Sequence, residues 1–347
     1  MVTLGGDCHK RTHTLVAVDD NGRELARKTV RAVSGGHQDA RRWATQWAER
    51  RWALENCRHV SRGLERDLLM AGEMVVQVSP KLMAGARRTG REWGKSDPID
   101  ALAVARAALR DGDLPIAHLQ ASGRDVKLLL DHREDLVGER TRVQNRLRWH
   151  LHELDPSFEV PDRSLARKAV LNQVEKALQT YPGVAADIAI ELLERVRQLT
   201  VRIKELERQL ANLVTELAPN LLELDGCAAL GAAKLIGETA GIARFKTPAR
   251  FAMHNGSAPI PVWSGSHERH RLNRGGNRQI NAALHRIAVT QIRLAGRGYD
   301  YVQRRRAAGD TKKEAIRALR RRISDEVFRR MWQDHLMTVR TASNVAA

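Results

Sequence analysis

The sequence predicts two classes of structure in one chain, an α/β domain with a mixed sheet followed by all-α regions. Three observations predict it. Strand and helix patterns alternate through residues 1–110, a long apolar seam at helical spacing runs through residues 185–217, and the charge is strongly lopsided. Lysine and arginine number 59 against 41 acids, giving +18 overall, and residues 220–347 hold 23 of those bases against 10 acids, so +13 of the excess lies there.

LGGDC reads as the end of a first strand closing at Asp7. THTLVAVDDNG (12–22) reads as a second strand running into a turn, with Asn21-Gly22 as the hairpin signal, and GRELARKTV as its antiparallel partner. Residues 37–50 read as a helix with Trp43 and Trp47 on one face, and WALEN (52–56) as a short strand ending at Glu55. A helix over 60–71 and a strand over 73–80 follow. KSDPID then opens a helix. Proline is tolerated in a first turn, so Asp97 is the expected N-cap, Pro98 the first helical residue and Asp100 the third.

Residues 122–154 read as one arginine-rich helix with Leu136, Val143, Leu147 and Leu151 on an apolar face that Arg140 interrupts. Its outer face fits either solvent or nucleic acid. Pro156 and Pro161 break the chain. From Ala185 through Ala189, Leu192, Val196, Leu199, Ile203, Leu206, Leu210, Leu213 and Leu217, apolar residues recur at spacings of three and four, a coiled-coil seam. Its partner is either the arginine-rich helix of the same chain or a second protomer. Pro219 ends it, which divides the chain into 1–112, 113–218 and a basic, mostly helical 219–347.

The charge implies a polyanionic partner, most often nucleic acid. No apolar run approaches the roughly 20 residues of a membrane span, so no membrane partner is expected. MVTLGGDCHK lacks the charged-then-apolar order of a secretory leader, and Cys8, Cys57 and Cys227 are scattered. Both point to a cytoplasmic protein with reduced thiols. Aromatics make up only 4% of residues, which argues against a module that stacks RNA bases on Phe and Tyr.

Neighbouring strands lie under about 5 Å apart, so Asp7 and Glu55 can converge at one sheet edge. Asp97 and Asp100, three apart, share a helix face that could return over it. Four carboxylates gathered there repel one another unless Mg²⁺ or Mn²⁺ is bound. Two such ions about 3.5–4 Å apart form a clamp for phosphoryl displacement. His9 and His13, four apart, read as a polar pair at the strand ends.

These stretches carry a resemblance. Asp7 in GGDCHKRTHTLVAV, Glu55 in LENCRH and the pair in KSDPIDALAVA resemble the DEDD set of RuvC-like insertion-sequence transposases, and VSPKL (78–82) fits the same pattern. The chain is most similar to the family numbered one hundred and ten, the bridge-RNA-guided recombinases. The resemblance implies an RNase-H-like (RuvC-like) N-terminal domain with Asp7, Glu55, Asp97 and Asp100 as metal ligands. It also implies DNA as substrate, a guide (bridge) RNA, and a homo-oligomer, dimer or tetramer, whose active sites combine two protomers.

HNGSAPIPVWSGS (254–266) matches the family's Gly-x-x-Pro followed five positions later by Ser-Gly, through Gly256, Pro259 and Ser264-Gly265. That match makes Ser264 the expected nucleophile, ahead of Ser257 and Ser266. Arg269, Arg271, Arg274, Asn277 and Arg278 follow, a set suited to a scissile phosphate. Without the match, the stretch reads as a Gly/Ser turn before a basic helix. The expected function is therefore a DNA transposase with a covalent phosphoserine intermediate. A metal-dependent nuclease using water and a non-catalytic nucleic-acid-binding protein are the alternatives.

Overall fold

The structure, a computed structural model, describes residues 1–55, 60–79, 82–83, 96–111, 114, 116–117, 121–265, 267–273 and 275–345. Cys57, Ser266 and Arg274 lie outside the described residues, as does part of VSPKL. The chain forms two compact units, Met1–Gln120 and Ala121–Ala347.

The first unit contains β1 (Val2–Cys8), β2 (Thr12–Val18), β3 (Glu24–Arg31), α1 (Ser34–Ala44), β4 (Arg50–Glu55), α2 (Arg62–Met70), β5 (Val75–Val78) and α3 (Asp97–Arg110). The sheet order is β3-β2-β1-β4-β5. The first three strands are antiparallel, and β4 and β5 run parallel to β1 and to each other, which is the mixed sheet expected. The β2–β3 turn forms as Asn21-Gly22 predicts. Gly22 takes φ +76°, and the Asp19 Oδ1 accepts from the amides of Asn21 and Arg23. α1 is shorter than expected and ends at Ala44. Trp47 lies beyond it, yet still meets Trp43 edge to face.

One face of the sheet packs Leu4, Leu15, Trp52 and Leu54 with Leu64 and Leu68 of α2. The other face packs Val16, Val18, Ala53, Val76 and Val78 against the alanine-rich side of α3. That helix can lie close because Gly5 has no side chain. A Cβ there would stand 2.2 Å from the Ala101 carbonyl oxygen and 2.6 Å from the Ala105 nitrogen. Close approach of α3 brings its N-terminal turn to the strand edge. The cap differs from expectation: Ser96 is the N-cap and Asp97 is already helical, because the Asp100 amide closes the first turn on the Ser96 carbonyl.

In the second unit, α4 (Ala121–Leu154), α5 (Lys168–Leu178) and α6 (Val184–Leu217) precede α7 (Pro219–Leu222), α8 (Ala229–Thr239) and α9 (Pro248–Asn255). A hairpin of β6 (Ile260–Ser264) and β7 (His267–Arg271) comes next, then α10 (Arg278–Arg293), α11 (Arg297–Ala307) and α12 (Lys312–Val345). The partner of the apolar seam is α4 of the same chain. Val143, Leu147 and Leu151 pack on Ala189, Leu193, Val196 and Leu199, while Val126 and Leu130 meet Leu210 and Val214 at the other end, so the helices are antiparallel. Ion pairs Arg133–Glu207 and Arg195–Glu139 cross between them. Arg140 reaches into the seam, donating to the Thr200 hydroxyl at 3.3 Å. Leu206 and Leu210 are fully buried. At both ends the buried positions step one residue beyond the predicted ones, to Ala186, Leu193 and Val214. There α5 and α8, rather than α4 alone, cover the helix.

The β6–β7 hairpin replaces the expected turn leading straight into a helix. Gly256, with φ +75°, ends α9 in the left-handed conformation. It packs so closely on Gly276 that a Cβ on Gly276 would stand 2.2 Å from its nitrogen. The Asn277 amide donates to the His254 carbonyl at 2.6 Å, and the Asn281 side chain donates to the Asn255 carbonyl. The end of α9 and the start of α10 are thereby fastened to each other across the base of the hairpin.

Candidate active site

Asp7 lies on the face of β1 that also carries Gly5, the face covered by α3. Its side chain is buried, and its Oδ2 stands 3.0 Å from His9 Nε2. His9 follows the end of β1, and its amide donates to the Thr12 carbonyl across the turn. Two residues on from Asp7, it returns to the same face. The same ring nitrogen is 3.4 Å from Asp97 Oδ1. Asp7, His9 and Asp97 thus offer ligand atoms all within 4.8 Å of one another, one buried and two exposed.

Asp100 sits one turn along α3 and is buried. Burial pushes the Asp7 carboxyl above its usual range. His9 opposes that shift, while the charges of Asp100 and Asp97 add to it. The negative charges of Asp97 and Asp100 are thus close enough to be felt at the Asp7 carboxyl. Glu55 ends β4. It lies one residue past the last β1–β4 pair, Gly6–Leu54, on the face shared with Ala53, and among the described residues its carboxylate is not part of the group formed by Asp7, His9 and Asp97. The donor set, hard carboxylate oxygens with one imidazole, fits a divalent cation.

His13 goes elsewhere. It pairs across the strands with Cys8 on the opposite face. There its Nε2 is 3.3 Å from His37 Nε2, and His37 Nδ1 is 2.6 Å from Asp67 Oδ2. Burial, with smaller contributions from His37 and His9, lowers the His13 pKa to about 4, so at neutral pH its ring is uncharged. The paired reading of the two histidines is thus corrected: the sheet separates them. Period-two alternation already carried that signal, since His9 is two residues from Asp7.

In the second unit Ser264 closes β6 and pairs in register with His267, with Gly265 at φ +58° in the turn. Arg269 and Arg271 lie on β7, where Arg271 is exposed. Asn277 caps α10: its Oδ1 accepts from the amides of Gln279 and Ile280, and its Nδ2 donates to Glu238. Its side chain is therefore engaged within the fold. Arg278, the first residue of α10, is exposed. Among the described residues no helix is long and apolar enough to cross a membrane.

With this geometry in hand, the relatives are informative. A family model described as a transposase of the DEDD, IS110 type matches residues 4–156, and one described as the transposase IS116/IS110/IS902 family matches residues 218–303. The 44.8 kDa protein of insertion element IS116 from Streptomyces clavuligerus is 26% identical, over 97% of this chain and 96% of that protein. The 42 kDa protein of insertion element IS900 from Mycobacterium paratuberculosis is 24% identical, over 100% of this chain and 99% of that one. T. thermophilus RuvC, solved in complex with a Holliday junction substrate, aligns with 33% of this chain and 98% of its own at 16% identity and a TM-score of 0.26.

Proposed function

The chain belongs to the IS110 family of insertion-element transposases, and on that premise we propose that it cuts and rejoins DNA with two chemical centres, an acidic metal site and a serine. The single observation that carries the reading is the convergence of Asp7 and Asp97, from a strand end and a helix mouth, on one imidazole nitrogen. Asp7, Glu55, Asp97 and Asp100 are the proposed ligands of Mg²⁺ or Mn²⁺. A bound divalent cation there supplies Lewis acidity to a phosphoryl oxygen.

The residues of the chain account for the rest. The Ser264 Oγ bonds to the scissile phosphorus and gives up its proton, and the P–O bond to the leaving strand breaks. The freed hydroxyl later reverses the step on another phosphoserine. Bond types are conserved, so rejoining needs no external energy source. Arg269, Arg271, Arg274 and Arg278 are the proposed phosphate contacts, and the exposed arginines among them suit that work. The cap made by Asn277 holds the first turn of α10, and with it Arg278, in position. Selection of the DNA by a bridge RNA, and assembly as a dimer or tetramer, rest on the resemblance of the motifs to that family.

The test is a denaturing gel with end-labelled DNA and Mg²⁺. Wild type should give protein joined covalently to DNA, and Ser264→Ala should lose the adduct and strand exchange while retaining DNA binding. Cleavage without an adduct, retained in Ser264→Ala, would falsify the serine route and leave a nuclease that uses water.

A further inference from the structure

We infer that His9 is itself a metal ligand, through Nε2, and that this nitrogen makes the acidic site favour Mn²⁺ over Mg²⁺. The inference rests on the reading that the carboxylates bind a cation. It adds a residue outside the DEDD set and an identity for the metal.

Three observations carry it. His9 Nε2 lies between carboxylates from two elements, 3.0 Å from Asp7 Oδ2 and 3.4 Å from Asp97 Oδ1, where a cation gripping both oxygens would draw its next donor. The ring is about half exposed, with 51% of its side-chain surface open, so core packing does not explain its position. Its backbone is held by the β1–β2 turn, where the amide donates to Thr12, so the ring is presented by a rigid element. A plain ion pair would account for contact with one carboxylate, whereas ligation accounts for a single nitrogen shared between two.

The metal preference follows from ligand chemistry. Mg²⁺ takes oxygen donors and keeps its waters, and Mn²⁺ favours oxygen too but, as a first-row transition ion, accepts an imidazole nitrogen more readily than Mg²⁺ does. An all-carboxylate site gives Mg²⁺ nothing to lose. One with a fixed imidazole makes Mg²⁺ accept a poorer donor, and Mn²⁺ does not pay that penalty to the same extent.

The experiment uses the full chain loaded with Mn²⁺ and pulsed electron paramagnetic resonance, which detects a nitrogen bonded to the ion. Wild type should show ¹⁴N modulation from one imidazole, converting to the ¹⁵N frequency when the protein is grown with ¹⁵N-histidine. His9→Gln should still bind Mn²⁺, with the modulation gone and the Mn²⁺/Mg²⁺ affinity ratio lowered by about tenfold. Bound Mn²⁺ without nitrogen modulation in wild type, or with modulation unchanged in His9→Gln, overturns the role of His9 and leaves the carboxylate site standing. Mn²⁺ that fails to bind wild type, or binds Asp7→Asn equally well, overturns the metal site as a whole.

Discussion

At the end of the central strand of the first unit, Asp7 is 5% exposed and His9 and Asp97 reach it from a turn and a helix. In the second unit the hairpin that carries Ser264 holds Trp263 67% exposed, with Arg271 and Arg278 in solvent. The contrast follows from the charges. On the proposed reading, the buried carboxylates of Asp7 and Asp100 would act on a cation through little water, while the exposed Asp97 and His9 leave a way in from solvent. Arginines meant to meet a phosphate backbone gain from staying hydrated until contact, where released counterions drive binding. One region sets its acids partly within the fold and the other displays its bases in solvent.

The largest predicted effect breaks or confirms that division directly. Asp100→Asn keeps the size of a buried side chain but removes an anion beside Asp7. Cleavage should fall by about 10³-fold, the several kcal/mol a metal clamp contributes, while DNA affinity stays within about twofold. A binding assay in which affinity falls with cleavage would show that the acid edge also holds DNA.

Replacing Leu206 and Leu210 with Lys comes next. Both are fully buried, Leu210 in the core it shares with Val126 and Leu130, and each charge stranded there costs several kcal/mol. The second unit should unfold while the first keeps its Mn²⁺ affinity, as read by calorimetry and metal titration on the same sample. Loss of metal binding in that variant would mean that the two regions are one cooperative body.

The smallest effect contrasts the two faces of one sheet. His13 has a pKa of about 4 in the fold against 6.5 ordinarily, so the unfolded chain binds more protons between those values. Its contribution to stability is complete above about pH 6.5 and is lost as pH falls toward 4, about 3 kcal/mol in all. His13→Gln should flatten that acid limb in urea unfolding at pH 4.5 and 7.5, leaving metal binding at neutral pH intact. An unchanged limb would show that the His37–Asp67 network takes up the proton.

Most of the sheet was legible because its signals are local. Short, largely apolar runs mark β1, β2 and β4, Asn21-Gly22 marks the hairpin, and apolar spacing marks α6. The strand-end positions of Asp7 and Glu55 come from those runs alone. The hairpin at 260–271 was not legible, since IPVWS and HERHR are short and the second is too polar to read as a strand.

Residue order alone thus determined the element sequence, the strand-end and helix-mouth placement of the acids, and which face of α6 is apolar, because backbone preference and periodicity act within a few residues. Tertiary structure decided what covers each face. It chose α4 as the partner of the seam, let α3 approach over Gly5, made Ser96 the cap so that Asp97 turned toward His9, and sent His9 and His13 to opposite sides. Periodicity specifies that a surface must be buried. Only packing between elements distant in sequence selects the surface that buries it, and the group of Asp7, His9 and Asp97 exists only where such elements meet.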